Sequence, residues 1–134
     1  MLLLDSGVWI ATKASDERFF EAARMIVLDM STPVAALDLT FYEVANVVGA
    51  RQRRDADAVE LCRGIRTRCL DHVITVDHEL IQQTVEVATE YSLSAYDAAY
   101  VAAARRHGWT LVSTDIADLV SKGLAVAPDS ADYP

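Results

Sequence analysis

The chain has 134 residues, of which 52% are hydrophobic, and its formal net charge is −8. This length is typical of one domain with one core, so we predict a single domain over residues 1–134. No run approaches the ~20 apolar residues that cross a bilayer. The apolar start lacks a basic segment and is interrupted by Asp5, which argues against a signal peptide. We therefore expect a cytoplasmic protein with no membrane segment.

The net charge alone argues against nucleic acid as a partner, but the arginines are clustered. Six of them lie between Arg51 and Arg68, and Arg105 and Arg106 form a second cluster. The first cluster suits RNA phosphates and equally suits a solvated helix face that nearby acids partly neutralise. The sign of the net charge therefore excludes little.

The cysteines and histidines form no recognisable metal or redox motif. The spacing of Cys62 and Cys69 fits neither a zinc knuckle nor a redox pair, so we expect buried or half-buried thiols. His72, His78 and His107 lack the spacing of zinc ligands.

The first half of the chain predicts alternating strands and helices. A buried strand over residues 2–5 leads into a short helix over residues 8–11 and a longer helix over residues 16–30. A second strand covers residues 34–37. Thr40 then begins a helix, and a polar helix covers residues 55–69.

The second half repeats this alternation. A strand over residues 72–76 precedes a helix capped by Asp77, and the next helix contains Asp97 and ends at Gly108. A strand at 110–113, a short helix at 115–122 and a possible fifth strand at 124–127 follow. Strands separated by helices predict a parallel sheet covered on both faces, that is, a three-layer α/β/α domain.

Four acids are predicted at one rim of this sheet. Asp5 ends the first strand, Asp115 follows the fourth, and Glu43 and Asp97 lie in the first turns of neighbouring helices. Ligands of open parallel sheets bind beyond the carboxyl ends of the strands, where these acids are expected. Each acid also has a capping explanation, such as the capping box that Thr40 would form with Glu43.

Four carboxylates at one rim would repel one another and raise their pKa values unless a cation joined them. Mg²⁺ and Mn²⁺ prefer oxygen ligands and usually keep waters, which leaves room for a phosphate oxygen. A metal-activated water could then hydrolyse a phosphodiester bond without a histidine or serine nucleophile. The acids therefore favour a metal-dependent nuclease.

Four stretches carry a resemblance to a known family. LLLDSGVWI, TFYEVANVV, SAYDAAYVAAA and TLVSTDIADL resemble, in order and spacing, the acidic motifs of PIN-domain ribonucleases, most of all VapC, the toxin of VapBC toxin–antitoxin modules. The resemblance implies a PIN-like fold with strand order 3-2-1-4-5 and an endoribonuclease with Mg²⁺ or Mn²⁺ as cofactor. It implies Asp5, Glu43, Asp97 and Asp115 as the catalytic, metal-binding acids.

The resemblance also implies partners. These are an RNA substrate, a VapB-like antitoxin and a second copy of the chain in a homodimer. The antitoxin would lie in a groove among the early helices and bring an arginine to the acids. Residues 8–11, with Trp9, and residues 19–27 are apolar on more than one side, which is consistent with such a groove and also with burial in the core.

Four polar residues are secondary candidates. Ser6 and Thr114 flank proposed ligands and could bond a carboxylate or a bound water, or cap a helix. Asn46 could orient Glu43, and Asp118 could act as an outer acid or be a solvated charge.

Three other classes fit part of the pattern. An aspartyl-phosphate phosphatase needs a second acid where Gly7 stands, and a receiver domain needs an acidic pair and a late lysine that Lys122 does not match. A non-catalytic RNA- or protein-binding module, in which the acids only cap helices, is the stronger alternative.

Overall fold

The computed structural model describes residues 1–130, so the last four residues of the predicted domain lie outside it. Its centre is a parallel sheet of four strands in the order β3-β2-β1-β4. β1 pairs with both β2 and β4, in register Leu3 with Ala35 and Leu3 with Leu111. The predicted parallel α/β fold is confirmed. The strands are β1 Leu2–Leu4, β2 Val34–Leu37, β3 Val73–Ile74 and β4 Thr110–Val112.

Helices cover both faces of the sheet. Two predicted helix ends are confirmed: Asp77 caps one helix through its side chain, and Gly108 ends the next helix at φ 69°. Ser94 caps the start of that second helix through its side chain. The helices are α1 Ser6–Ala11, α2 Phe20–Leu28, α3 Asp38–Val44, α4 Asp55–Cys69, α5 His78–Tyr91 and α6 Ala95–His107, with π-helical segments Ala45–Arg51 and Ile116–Val120.

The possible fifth strand reduces to one bridge. Val126 pairs in parallel with Val112, its N–H donates to Leu111 O at 2.9 Å, and its carbonyl accepts from Ser113 N at 3.0 Å. The segment therefore lies next to β4, where a fifth strand was expected. Pro128 follows closely, and proline has no N–H with which to extend a ladder.

The boundaries predicted for two helices were wrong. The helix predicted over 16–30 spans only Phe20–Leu28, because the Asp29 carboxylate accepts from Ser31 N at 3.0 Å and closes a turn there. Thr40 does not begin its helix, which starts at Asp38. Thr40 is fully buried and bonds another side chain, so the capping box predicted for it does not form.

The third strand is shorter than the predicted 72–76. His72 O still accepts from Ala36 N at 3.0 Å. Beyond Ile74 the backbone turns towards α3, where the Asp38 carboxylate accepts from Val76 N at 3.2 Å. After Ile74, a side-chain acceptor therefore replaces the backbone acceptor that a longer strand would use.

The core lies on both faces of the sheet because successive strand residues point to opposite sides. Leu2 and Leu4 pack into one cluster with α1, α2 and α4, and Leu3 packs into the other with α5 and α6. Trp9 is 1% exposed, so it is a core aromatic. Within residues 1–130, no helix combines the length and the apolar character needed to cross a membrane.

Candidate metal centre

The first acid stands at the junction of β1 and α1. Asp5 is buried, and its Oδ1 accepts from Val8 N at 3.1 Å, which caps α1. Its own N–H donates to Val112 O at 3.1 Å. That bond holds the carboxylate next to the end of β4, where the fourth acid follows.

Ser113 connects the first and fourth acids, and the sequence had not singled it out. Its side chain is fully buried, its Oγ accepts from Asp115 N at 2.9 Å, and it donates to the Asp5 carboxylate. A hydroxyl directly after a buried strand, two residues before an acid, was the available signal. One serine thus links the ends of β1 and β4.

The second acid is held by a tyrosine that the sequence analysis also missed. Glu43 is half-buried on α3, and its Oε1 accepts from Tyr100 OH at 2.7 Å. The same phenol lies 2.7 Å from Thr40 Oγ1. The signal in the sequence was spacing, since Tyr100 is one helical turn after Asp97.

The third and fourth acids meet at the start of α6. Asp97 is half-buried, and its N–H donates to Ser94 Oγ at 3.1 Å. Carboxylate oxygens of Asp97, Asp115 and Asp118 all lie within 4.8 Å of one another. Asp118 is exposed, and its N–H donates to Asp115 Oδ1 at 3.0 Å. The structure therefore adds Asp118 to the acids at this rim.

Burial and mutual repulsion perturb these acids. The pKa of Asp5 is raised to about 7: burial is the largest cause, the charges of Glu43 and Asp97 also raise it, and hydrogen bonds from Ser113 and Val8 oppose the rise. Burial also raises the pKa of Asp97, as do the charges of Asp115, Glu43 and Asp118. Asp97 is therefore electrostatically coupled to every other acid of the rim.

No cation of the described chain neutralises this charge. The ion pairs among residues 1–130 join Lys13 to Glu60, Arg54 to Asp57, and Arg106 to Asp77 and Glu79. None includes an acid of the rim. The available donors are all carboxylate oxygens, which is the set that Mg²⁺ and Mn²⁺ prefer, so the residues fit a hard divalent ion.

Three secondary candidates occupy different positions around the rim. Ser6 is half-buried at the first turn of α1, and Asn46 is exposed. Within residues 1–130 Asn46 makes no hydrogen bond to Glu43, because the helix widens into the π-helical segment just after Val44. Thr114 packs so closely on Gly7 that a Cβ there would clash with its Oγ1.

The arginines of the first cluster divide into two groups. Arg68 donates to the carbonyls of Val27, Asp29 and Thr32, each at 2.7 Å, so it ties α4 to the loop after α2. Arg54 pairs with Asp57, and Arg66 lies over the Phe41 ring. The side chains of Arg51, Arg53 and Arg63 are exposed and make no ion pair within the described residues. The last three remain available to a phosphate backbone.

The chain matches the model of the PIN domain family over residues 2–118. Among solved structures, it is similar to a toxin–antitoxin complex from Klebsiella pneumoniae, with 21% identity, a TM-score of 0.70 and coverage of 96% of this chain and 98% of that chain. It is also similar to VapC20 of Mycobacterium tuberculosis, described as a toxin that cleaves the sarcin–ricin loop, with 20% identity, a TM-score of 0.69 and coverage of 92% and 95%.

A third similar structure is FitAcB from Neisseria gonorrhoeae, with 19% identity, a TM-score of 0.71 and coverage of 96% of this chain and 98% of that chain. Comparison with curated proteins gave no significant match. At these identities the structural likeness shows a shared fold.

Proposed function

The chain belongs to the PIN domain family, and from that premise we propose that it is a Mg²⁺- or Mn²⁺-dependent endoribonuclease that acts as the toxin of a type II toxin–antitoxin module. The observation that carries the proposal is the group of five carboxylates that repel one another and have no cation partner within residues 1–130. Further support comes from the toxins of similar fold. We place its action in the cytoplasm, where such an RNA substrate would be.

In this proposal, Asp5, Glu43, Asp97 and Asp115 hold the ion, and Asp118 extends the acidic rim. Val8 N–H and Ser113 fix the orientation of Asp5, and Ser113 also anchors the backbone of Asp115. A bound divalent ion would supply a more acidic water and stabilise charge on the phosphoryl oxygens. The acids themselves repel a bare phosphate, so a phosphate of the RNA would approach the rim only with the ion present.

The decisive test is RNA cleavage with and without Mg²⁺ by the wild-type protein and an Asp97→Asn variant. Asn preserves the size of the side chain, so we expect a loss of more than about 100-fold in rate, beyond the range for outer-shell partners. Asp77→Asn is the matched control, because Asp77 is also an acid at a helix start but pairs with Arg106 in the last turn of α6, at the opposite end of that helix from Asp97. Equal Mg²⁺-dependent cleavage by wild type and Asp97→Asn would contradict the proposal and favour a non-catalytic binding module.

A groove of about 540 Å³ between α1, α2 and α4 supports an antitoxin partner. Leu28 and Met30 line it and are 67% and 74% exposed, and Arg24 and Arg63 lie beside them. An antitoxin segment with apolar anchors would fill this groove and bring an arginine to the acidic rim. Binding of the cognate antitoxin to a Met30→Asp variant with wild-type affinity would contradict this placement.

A second face supports the homodimer. A groove of about 320 Å³ among α3, α5 and α6 is lined by Tyr42, Tyr96, Val76 and Ile81, and Asp38 is its one charged lining residue in the described chain. Tyr42 is 79% and Tyr96 61% exposed. A nearly uncharged apolar face is self-complementary, so a second copy related by two-fold symmetry would cover it. Sedimentation of the wild-type protein as a monomer at micromolar concentration would contradict this assignment.

A further inference from the structure

Glu43 and Asp97 differ from the other two predicted ligands in how they are fixed. Asp5 directly follows β1. Asp115 lies in the loop after the neighbouring strand β4, where its N–H donates to Ser113 Oγ. Glu43 and Asp97 lie on α3 and α6, whose separation no strand ladder sets. Something else must therefore hold the two helices at a separation that suits one ion.

A chain of three side chains joins these helices. Thr40 Oγ1 lies 2.7 Å from Tyr100 OH, and Tyr100 OH donates to Glu43 Oε1 at 2.7 Å. Thr40 is fully buried and Tyr100 is 2% exposed, so water does not compete for the bond between them, whereas Glu43 is half-buried.

The chain has one direction. The phenol has a single hydrogen, which goes to the carboxylate because an ionised carboxylate can only accept. Thr40 must therefore donate to the Tyr100 oxygen. Burial raises the pKa of Tyr100 well above its ordinary value, so the phenol stays a neutral donor.

Each of the two hydroxyl residues lies one helical turn from an acid on its own helix. Thr40 precedes Glu43 by three residues on α3, and Tyr100 follows Asp97 by three residues on α6. Residues three apart in a helix share a face. The bonds therefore join the two helix faces that carry the acids.

We propose that Tyr100 is a positioning residue, supported by Thr40, that fixes Glu43 Oε1 and leaves the other oxygen of Glu43 for the divalent ion. This role rests on the proposed metal-dependent function. It predicts that removing one hydroxyl, with the ring retained, loosens the metal site.

The test is Mn²⁺ affinity without RNA, measured from the electron paramagnetic resonance signal of free Mn²⁺. We expect Tyr100→Phe to weaken the affinity about 10-fold, the lower end for outer-shell partners of ligands, and Thr40→Val to weaken it less. Tyr91→Phe is the matched control, since its hydroxyl accepts a hydrogen bond from Arg105 at 2.9 Å outside the rim. Thermal unfolding in EDTA shows whether each variant folds.

A double variant separates positioning from a general structural effect. If Tyr100 acts through Glu43, then Tyr100→Phe changes Mn²⁺ affinity little in a Glu43→Gln background. An equal loss in both backgrounds, or unchanged affinity in Tyr100→Phe, would overturn the positioning role alone. Wild-type protein that binds no Mn²⁺ would overturn the proposed metal dependence as well, which distinguishes the two failures.

Discussion

Two helices of this protein begin in the same way and end up in opposite electrostatic settings. Asp5 caps α1 by accepting from Val8 N at 3.1 Å, and Asp77 caps α5 by accepting from Leu80 N at 2.7 Å. Asp77 also accepts from Arg106 at 2.9 Å, and this partner lowers its pKa. Asp5 is buried and has other acids as neighbours, and burial first and their charges second raise its pKa to about 7.

This difference shows that capping does not account for the rim. A cap needs one carboxylate oxygen near a free N–H, and α5 obtains that together with a stabilising cation. At the start of α1, the capping carboxylate is buried and is repelled by the charges of Glu43 and Asp97. A structure that only needed a cap could use Ser or Asn there, so the charge itself suggests a partner from outside the chain.

The largest expected effect comes from neutralising the two caps. At pH 8 without metal, Asp5→Asn should raise the free energy of unfolding by up to about 4 kcal/mol, because the pKa of Asp5 lies about three units above its unfolded value and each unit is worth about 1.4 kcal/mol. Asp77→Asn should lower the free energy of unfolding, since it loses the bonds to Arg106. Chemical denaturation of both variants measures this, and destabilisation by both would remove the contrast.

The pH dependence of the wild-type protein is the next effect. A folded-state pKa of about 7 for Asp5, above its unfolded value of about 3.9, means that the folded state binds the proton more tightly. The stability that Asp5 contributes is therefore present below about pH 4 and is lost as pH rises to about 7. Asp77 behaves oppositely, because its lowered pKa gives stability that is lost as pH falls below about 4.

Thermal melts from pH 4 to pH 8 in EDTA check this prediction. The melting temperature should decline between about pH 4 and pH 7, and the decline should flatten in Asp5→Asn. If the acids hold a divalent ion as proposed, excess Mn²⁺ at pH 7 should restore stability, because such an ion would bind only the folded state. A wild-type profile that matches Asp5→Asn would mean that Asp5 is not perturbed.

The strand ends and several caps could be predicted from the sequence because both depend on local pattern. Leu2–Leu4 and Val34–Leu37 are apolar runs, and Asp77, Ser94 and Gly108 are the residue types that helix ends require. Parallel pairing then brings Asp5 and Asp115 to one edge. The proximity of these two acids therefore follows from topology and needs no knowledge of side-chain contacts.

The side chains that hold the acids could not be predicted in the same way. Ser113, Thr40 and Tyr100 act through tertiary contacts, and Thr40 and Tyr100 are sixty residues apart. The first turn of the helix after β2 was misplaced because Asp38 bonds Val76, again a long-range contact. Arg68 was predicted either to meet RNA phosphates or to lie on a solvated helix face, yet it binds three carbonyls at the end of α2 and in the loop that follows.

The smallest expected effect concerns the residue two positions after each cap. In α5 this is Glu79, which pairs with Arg106 at 3.6 Å, and in α1 it is Gly7. A Cβ on Gly7 would clash with Thr114 Oγ1 and lie 3.3 Å from Asp5 Oδ1, so Gly7→Ala should cost about 1–3 kcal/mol of stability through overpacking.

Gly64 provides a control for this prediction, because it is a glycine with open space around it. Gly64→Ala on α4 meets nothing within 4 Å and should stabilise the helix by up to about 1 kcal/mol. Adding Thr114→Ala to Gly7→Ala removes the clashing oxygen and should restore much of the lost stability, because the two effects share one contact. Chemical denaturation of the four proteins measures this. If Gly7→Ala destabilised the protein no more than Gly64→Ala, the close contact of α1 with the loop after β4 would not contribute to stability.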